Sequence, residues 1–409
     1  MKVLWFSNNI IRTGKPDSGT STWGWVDSLA SAIRENRPDC ELYIAFRHLK
    51  KDIETFTENG IHIIRVPFKR NILEKAIALI RPIDRSDLYL GIVDTVNPDI
   101  VQIFGSESDY GLLCGKTDVP IVIHVQGILA AYKCVIDTLK PRRAGLFIRA
   151  PLKWLLYIYN SRVFNLNVKR EKKILSINKN FMVRTFWDKS MIEFLADSPI
   201  CFCCNEVVKK TFREAEWHIQ HGACIRLVSV IGNTIYKGIN IINLAASILK
   251  EKGVAFEWNV IGVTDNDVST LIWGLNTKKL SANNVTLKGK LSEDAIVQVC
   301  VSSDIFIHPS YIENSSNAIM EAMCLGMPII AAAGGGTTSL LEHEITGYLF
   351  TPGDYLMLAS EILRVSTLDI VALELVSSRA RKSALAMSDP KQITDNLIDI
   401  YRKLVREAL

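Results

Sequence analysis

The stretch from Asp304 to Gly347 decides the fold of the second half of the chain, and it reads DIFIHPSYIENSSNAIMEAMCLGMPIIAAAGGGTTSLLEHEITG. An apolar strand, Asp304–His308, is followed by a Pro-Ser turn, a loop that contains Glu313, and a helix that carries Glu321. A second apolar strand, Pro328–Ala333, then runs into three consecutive glycines. Two short apolar strands joined through a helix are typical of a parallel α/β unit.

The same stretch has the features of a binding site. Two carboxylates eight residues apart, at a strand-to-helix junction and beside a glycine loop, indicate a site and not a core. The helix begins in Asn314-Ser315-Ser316-Asn317, and the free N–H groups and positive dipole end of a helix start suit a phosphate. Carboxylates suit sugar and ribose hydroxyls, so a sugar linked to a diphosphate would satisfy both halves of this site.

The motif Glu313-x7-Glu321, together with HPS, EAM-x-x-G-x-P-I-I-A and GG…TG-Y-L-F, resembles the retaining GT-B glycosyltransferases of the family 4-like type, also called glycosyl transferases group 1. The resemblance covers most of the C-terminal half and is weaker before it. It implies an α/β fold with two Rossmann-like domains, whose parallel sheets face a central cleft. It also implies a nucleotide-diphosphate sugar as co-substrate, retention of the anomeric configuration, and no metal or other cofactor.

The length of 409 residues predicts two domains, because one ordinary hydrophobic core does not grow to that size. Short apolar strands alternate with helical stretches in both halves, which favours α/β domains with parallel sheets. We expect an N-terminal domain over residues 1–208 and a C-terminal domain over 209–388, and the resemblance implies that the first binds the acceptor and the second the nucleotide sugar. The last segment, 389–409, has the apolar spacing of an amphipathic helix, and the resemblance implies that it packs back on the first domain.

The composition favours a reduced, cytoplasmic protein. Its nine cysteines show no regular framework spacing and fall mostly in apolar segments. The apolar run at the N-terminus, MKVLWFSNN, is too short for a signal peptide and reads as a strand. No apolar run reaches the roughly 20 residues that a membrane-spanning helix needs.

Lys237-Gly238 lies between a predicted strand and a predicted helix, where a lysine can reach a phosphate as a point charge. A solvated loop lysine is the plainer alternative, but a Lys-Gly in this position resembles the family residue that binds the donor diphosphate. The family's arginine beside the preceding glycine is replaced here by Asn233. One charge-assisted contact of roughly 1.5–3 kcal/mol is therefore missing, unless another cation supplies it.

The resemblance implies further roles in the second domain. Glu313 would hold sugar hydroxyls and stabilise positive charge at the anomeric carbon, as a catalytic residue alongside Lys237. Glu321 would bind the ribose. The remaining expected donor-binding positions are the helix start at Asn314, Ser315, Ser316 and Asn317, the Asn233 position, and the base-bordering Gly289 and Leu291.

Three positions of the first domain join the expected site. Gly19 and Thr20 follow the first strand and would let the donor phosphates approach, although a plain helix cap explains them equally well. His124 ends a strand, where open α/β sheets bind ligands, and it resembles the family histidine near the reacting sugar, although a lone histidine is more often structural. Arg184 would meet a phosphate or a sugar acid, or would simply pair with Asp188.

Cys201, Cys203 and Cys204 precede His218 and His221, in a superficial likeness to a zinc site. The cysteines fall in an apolar strand whose alternate residues face opposite sides, and the histidines stand closer together than in a zinc finger. No metal site is expected.

Residues 140–173 contain ten Lys/Arg and one acid, Glu171, so this segment has a charge of +9 and the rest of the chain −4. The segment also carries Trp154, Tyr157 and Tyr159 among several leucines. A solvated basic helix face is one interpretation, and an interfacial segment on an anionic membrane surface is the other. Nucleic acid is not expected, because the rest of the chain is acidic and contains no recognised binding module.

The leading hypothesis is a glycosyltransferase that moves a sugar to a glycan or a lipid-linked glycan in bacterial surface polysaccharide biosynthesis, in the cytoplasm or on the inner face of the plasma membrane. Two alternatives stay open. One is a sugar-nucleotide epimerase or hydrolase of the same fold. The other is a non-catalytic nucleotide-sugar-binding subunit, which the asparagine at position 233 makes credible.

Overall fold

The structure, a computed structural model, describes residues 1–8, 25–48, 51–68, 72–139, 146–148, 150–219, 222 and 224–408. These residues form two compact units. The first unit contains residues 1–133, 159–207 and 388–409, and the second contains residues 134–158 and 208–387. Each unit is built on a sheet of its own.

The first unit has an eight-stranded sheet among its described residues. Its strands are β1 (Lys2–Ser7), β2 (Glu41–His48), β3 (Glu54–Glu58), β4 (Ile61–Pro67), β5 (Ile100–Phe104), β6 (Ile121–His124), β7 (Asn180–Val183) and β8 (Ile200–Cys203). Their order is β3-β4-β2-β1-β5-β6-β7-β8, and every described pairing is parallel except β3 with β4. Val3 and Trp5 point into one core while Leu4 and Phe6 point into another, so β1 is covered on both faces.

The helices lie on the faces of the two sheets. In chain order they are α1 (Trp25–Asn36), α2 (Ile72–Ile77), α3 (Ser86–Val96), α4 (Leu129–Thr138), α5 (Pro151–Ile177), α6 (Phe186–Leu195), α7 (Lys210–Glu214), α8 (Ile239–Glu251), α9 (Val268–Ile272), α10 (Thr277–Ser281), α11 (Glu293–Val301), α12 (Asn317–Leu325), α13 (Thr337–Leu340), α14 (Tyr355–Ser366), α15 (Ile370–Met387) and α16 (Pro390–Ala408). The described residues also include two 3₁₀ helices, Asp109–Leu113 and Ile235–Lys237.

Helix α16 is part of the first unit. Its apolar residues recur at helical spacing, and Leu397 and Leu404 are buried in the same core as Val3. The indole Nε1 of Trp5 donates a hydrogen bond of 2.9 Å to the hydroxyl of Tyr401. The C-terminal segment therefore completes one face of the first sheet.

The second unit has a six-stranded parallel sheet. Its strands are β9 (Ile225–Val230), β10 (Phe256–Ile261), β11 (Val285–Gly289), β12 (Ile305–His308), β13 (Ile329–Ala332) and β14 (Tyr348–Phe350). They lie in the order β11-β10-β9-β12-β13-β14. The chain leaves β9 toward one edge and returns at β12 on the other side, so the carboxyl ends of β9 and β12 flank the switch point where open α/β sheets bind ligands.

Residues 134–158 group with the second unit, and the assignment of the whole of 1–208 to the first domain is wrong for this segment. The reason is that apolar side chains of this segment pack against the second unit. Leu139 and Leu146 are buried in one cluster with Ile235 and Ile272 of the second unit, and Trp154 packs against the same cluster. A basic composition gives no indication of that apolar contact, which depends on side chains at least 80 positions away in the chain.

Candidate active site

Lys237 and Glu313 meet at the carboxyl edge of the second sheet. Lys237 ends the 3₁₀ helix after β9, and Glu313 lies in the loop after β12. Since β9 and β12 are paired neighbours, the two loops emerge side by side. The Lys237 ammonium donates to both oxygens of Glu313, at 2.7 Å and 3.0 Å. Two residues 76 positions apart thus form a bidentate ion pair at the switch point.

His308 is the third member of this cluster. Its Nε2 lies 3.1 Å from Oε1 of Glu313, and both side chains are almost completely buried. An ionised carboxylate only accepts hydrogen bonds, so Nε2 of His308 carries a proton and donates to Glu313. The HPS motif was visible in the sequence, but no role was assigned to its histidine. Its place at a strand's carboxyl end was the signal that could have identified it.

The ion pair sets the charge state of Glu313. Burial by itself raises the pKa of this carboxyl, but Lys237 and then His308 outweigh that effect and hold the pKa well below its usual range. Burial likewise lowers the pKa of Lys237, and the charge of Glu313 more than reverses this, so the net direction is upward. Both groups are ionised at neutral pH, and each neutralises the other.

The three glycines after β13 hold the backbone of Glu313. The Gly336 N–H donates to the Glu313 carbonyl at 2.8 Å, and Gly335 has a φ of +62°. A Cβ on Gly335 would lie 2.1 Å from the carbonyl oxygen of Glu313. Only glycine permits this close approach. In the described structure the glycine loop therefore positions Glu313 through its backbone.

The helix start at 314–317 is arranged as the sequence predicts. Ser316 is the N-cap of α12, and its hydroxyl accepts from the Ile319 N–H at 3.4 Å. Asn314 is buried beside it. Glu321 lies one turn into α12 and is partly buried. Burial raises its pKa to about 7, with Lys209 opposing the shift and Glu293 adding to it.

Asn233 is engaged within its own unit. Its Nδ2 donates to Oδ1 of Asp267 at 2.8 Å, and its Oδ1 accepts from the Ser269 N–H at 3.0 Å. The side chain thereby ties the start of α9 to the loop after β9. Both polar ends of the amide already have partners, so the asparagine holds this loop in addition to any contact with a donor.

Gly289 is the last residue of β11 and Leu291 follows it, on the far side of β10 from β9. Gly289 has a φ of +64°, and its carbonyl accepts from the Gly262 N–H at 2.7 Å. Leu291 is partly buried against an apolar cluster. Both residues thus continue the carboxyl edge of the second sheet beyond Lys237.

His124 and Arg184 lie inside the first unit. His124 is fully buried, with the ring of Trp25 at 5.1 Å and Gln102 at 3.4 Å from its Nδ1. Burial, reinforced by Arg184, lowers the pKa of His124 to about 3, so the imidazole is neutral. Arg184 forms a buried ion pair with Glu206. The backbone N–H of Arg184 also donates to Oδ2 of Asp188 at 3.1 Å, and Asp188 closes a capping box with Thr185 at the start of α6.

Gly19 and Thr20 lie outside the described residues, and their expected contact with the donor stays a prediction. His221 of the cysteine–histidine stretch also lies outside the described residues. Within the part of the chain that the structure describes, no group of three or more His, Cys, Asp or Glu side chains is placed to hold a metal ion.

Residues 226–382 match the family model described as "Glycosyl transferases group 1". The match covers most of the second unit, and the resemblance to glycosyl transferases group 1 drawn from the sequence is confirmed. The amylovoran biosynthesis glycosyltransferase AmsK of Erwinia amylovora is 32% identical over 148 residues, which cover 35% of this chain and 36% of AmsK. The chain thus matches little more than a third of that relative's length.

Solved structures resemble the chain over nearly its whole length. Sucrose-phosphate synthase from Thermosynechococcus elongatus has a TM-score of 0.71 at 16% identity, covering 99% of both chains. HepE of Anabaena, in complex with UDP and glucose, has a TM-score of 0.67 at 15% identity, covering 98% of this chain and 100% of HepE. At such identities the likeness shows the fold alone. The two Rossmann-like, parallel-sheet domains have the GT-B fold, as predicted.

Proposed function

We propose that this chain is a glycosyltransferase that moves a sugar from a nucleotide-diphosphate sugar to a glycan or lipid-linked glycan, with retention of the anomeric configuration and without a metal. The acceptor would belong to bacterial surface polysaccharide biosynthesis. The name of AmsK supports that setting, and the UDP and glucose bound to HepE support UDP-glucose as the first donor to test.

One observation carries this proposal: buried polar atoms without partners occur at the end of β12, in the loop that leads to Glu313, and at the start of α13 after the glycine loop. Within the described residues, His308 Nδ1, Ser310 Oγ and Thr337 Oγ1 are buried and have no hydrogen-bond partner. Buried polar atoms are paired in the great majority of cases, so a group of unpaired ones next to a locked carboxylate favours a ligand rich in hydroxyls. A hexose on the Glu313 side and a diphosphate on the Lys237 side fit this arrangement.

The ion pair gives Lys237 a role in the chemistry. As the bond between the anomeric carbon and the donor phosphate breaks, negative charge grows on the leaving nucleoside diphosphate. A fixed cation and helix N–H groups near this charge stabilise the transition state more than the bound donor. The diphosphate would compete with Glu313 for the lysine, which frees the carboxylate to accept sugar hydroxyls and to face the positive anomeric carbon.

Two other functions differ from this one in what happens to the donor. An epimerase or hydrolase of the same fold would change or release the sugar with no acceptor present. A binding subunit would hold the donor unchanged, and the engaged side chain of Asn233 is the observation that favours it. Incubating the full chain with a labelled nucleotide sugar, with and without lipid-linked glycans, separates the three functions by where the label goes.

Replacing Glu321 should remove the pH dependence of donor binding. Its pKa lies at about 7, and an ionised carboxylate accepts stronger hydrogen bonds from ribose hydroxyls than a protonated one does. Affinity for UDP-glucose should therefore rise from pH 6 to pH 8 in the wild type, and Glu321→Gln should bind weakly and equally at both values. Titration calorimetry measures this, with Glu257→Gln on an exposed strand position as the matched control.

Stability gives an independent readout of the same carboxyl. Its folded-state pKa lies above the ordinary value of 4.5, so the folded protein holds the proton more tightly. The resulting contribution to stability is present below pH 4.5 and is lost as the pH rises toward 7. Glu321→Gln should therefore melt at a higher temperature than the wild type at pH 8. Unchanged affinity and unchanged melting would remove Glu321 from the site.

We also propose that the segment around the start of α5 binds an anionic membrane surface. Ile148 and Leu152 are 78% and 80% exposed, and Phe147, Leu155, Leu156 and Ile158 are exposed as well. The sequence of 140–173 carries ten cations. Among the described residues, no helix is both long enough and apolar enough to cross a membrane. Apolar side chains at headgroup level, with cations toward anionic lipid, are the features of a peripheral contact.

The aromatic residues play a different part from the one expected. Trp154 and Tyr157 pack against the apolar cluster of the second unit. The exposed apolar surface of this segment therefore consists mostly of aliphatic side chains and Phe147. The segment 134–158 also belongs to the second unit, whereas the sequence placed it in the first. Under this proposal, the unit that contains Lys237 and Glu313 carries the membrane contact.

Vesicle co-sedimentation tests the membrane contact. Ile148→Ser with Leu152→Ser should weaken binding to anionic vesicles by about tenfold or more, since burying one such side chain contributes roughly 1.5–3 kcal/mol. Val371→Ser with Leu375→Ser, an exposed apolar pair on α15, should bind like the wild type. Wild-type binding should also weaken as salt rises, because exposed charges are screened. Equally negligible binding of wild type to anionic and neutral vesicles would refute the contact.

A further inference from the structure

The two oxygens of the Glu313 carboxylate are held differently. Oε1 accepts from Nζ of Lys237 at 2.7 Å and from Nε2 of His308 at 3.1 Å. Among the described residues, Oε2 accepts from Lys237 alone, at 3.0 Å. The backbone carbonyl of Glu313 is held separately, by the Gly336 N–H. The glycine loop therefore fixes the main chain of Glu313, and the direction of its carboxylate depends on Lys237 and His308.

Lys237 is the partner that a bound donor removes. Under the proposed function, the diphosphate competes with Glu313 for the lysine, whose flexible four-carbon stem lets the ammonium turn toward the phosphates. Among the described side chains, His308 is then the one that still donates to the carboxylate. Oε1 would keep this hydrogen bond, and Oε2 would be open to a sugar hydroxyl.

His308 is built to be a rigid donor. It is the last residue of β12, it lies in register with Ala331 of β13, and it is only 1% exposed. Its ring is 6.5 Å from that of Phe306, which is on the same face of the strand, and the two ring planes differ by 9°. Phe306 is itself buried. A donor on a packed strand keeps its direction better than one on a loop.

We propose that His308 is a positioning residue, which holds Oε1 of Glu313 through its Nε2–H after the donor has drawn Lys237 away, so that Oε2 faces the sugar. This inference rests on the proposed function. Lys237 then acts on the leaving diphosphate, and His308 acts through the orientation of Glu313. A misplacement of about 1 Å in an active site can cost on the order of 100-fold in rate, so this hydrogen bond should affect turnover more than donor binding.

The kinetic test separates the ring of His308 from its N–H donor. His308→Phe keeps a ring against Phe306 and removes the donor, so turnover should fall about 10- to 100-fold. The KM for UDP-glucose should stay within about threefold, because ground-state binding of the donor does not use this bond. His308→Gln places an amide N–H at about the reach of Nε2 and should recover most of the lost turnover. His308→Asn, whose shorter amide matches Nδ1, should not recover it.

A histidine that merely fills the core predicts the opposite order of activities. His308→Phe would then keep turnover, because a ring of similar size remains, and His308→Gln would lose it. That order would overturn the proposal. So would a loss of equal size in His308→Gln and His308→Asn, because reach to Glu313 would then make no difference.

A spectroscopic test does not depend on activity, and it covers the case in which His308→Phe fails to fold. In the full chain labelled with [¹⁵N]histidine, the Nε2–H signal of His308 is the one that is missing from His308→Gln. This signal should be protected from solvent exchange in the wild type, in the wild type saturated with UDP, and in Lys237→Ala. Its absence from the wild type, or its loss in Lys237→Ala, would show that His308 does not hold Glu313 without the lysine.

The outcomes also separate this role from the proposed function. A chain that transfers sugar with the same turnover in His308→Phe and in the wild type keeps the function and loses the role of His308. A chain that keeps the protected signal in Lys237→Ala and transfers no sugar keeps the hydrogen bond to Glu313 and loses the glycosyltransferase.

Discussion

Lys237→Ala should lower the turnover of sugar transfer by about 100- to 1,000-fold, the effect typical of removing one group that stabilises developing charge. Donor affinity should fall much less, because the diphosphate charge that Lys237 meets grows as the glycosidic bond breaks. Lys252→Ala, an exposed lysine beyond the end of α8, is the matched control and should transfer like the wild type. Steady-state kinetics with varied donor separates turnover from apparent affinity.

The ion pair with Glu313 lowers the affinity with which Lys237 can bind the donor. In the described structure Lys237 is bound to both oxygens of Glu313, so a donor must exchange that partner for its own phosphates. The exchange costs affinity for the donor in the wild type and in any variant that keeps both charges. If Lys237→Ala changes only the apparent donor affinity and leaves turnover constant, the lysine binds ground state and transition state equally, and the role assigned to it is wrong.

Glu313→Ala should destabilise the second unit by about 3 kcal/mol, since removing one partner of a buried pair leaves the other charge uncompensated. Lys237 would lose its carboxylate, and His308 would lose the acceptor of its Nε2–H. The loss should appear as a lower denaturant midpoint of the transition in which the second unit unfolds. Glu313→Ala should also abolish transfer, because the carboxylate faces the sugar in the proposed site.

The double variant provides the control for that loss. Lys237→Ala with Glu313→Ala removes both charges, so its destabilisation should be clearly smaller than the sum of the two single variants. Additive losses would mean that the two residues stabilise the unit independently. The ion pair would then not be the element that holds this site together.

Much of the second unit could be predicted because its determinants are local in sequence. The strand predicted as Asp304–His308 is Ile305–His308, and the helix start around Asn317 follows from the run of small polar residues before it. The E-x7-E spacing places Glu313 in the loop before α12 and Glu321 one turn into that helix, and both positions can be read from the sequence. Periodicity and capping chemistry act over fewer than ten residues, so a sequence displays them.

The features that could not be predicted depend on contacts between distant segments. Residues 134–158 join the second unit because Leu139 finds Ile235 and Ile272. The side chain of Arg184 forms a buried ion pair with Glu206, a partner that no local spacing indicates. The glycine loop is needed for the backbone of Glu313, a close approach that no spacing rule reveals. Packing partners of this kind are chosen by the tertiary fold, which overrides local preference.

A pocket at the carboxyl edge of the first sheet, lined among others by Arg47, Glu107 and Arg170, shows the same limit most clearly. Arg47, Glu107 and Arg170 stand at separations of about 60 residues each, and none belongs to a motif that the chain displays. Parallel strands bring their carboxyl ends to one edge whatever their distance in sequence. The sheet order therefore has to be known before these side chains can be grouped, and the order β2-β1-β5 is what groups them.

The central claim is that the chain transfers a sugar from a nucleotide-diphosphate donor through the Lys237–Glu313 site. The most direct measurement follows labelled UDP-glucose, and then other nucleotide sugars, with lipid-linked glycans extracted from bacterial membranes as acceptors. The account predicts label in the glycan with the wild type and with Lys252→Ala, and a loss of about 100-fold or more with Lys237→Ala. Label released equally with and without acceptor, or equal transfer by Lys237→Ala and the wild type, would contradict it.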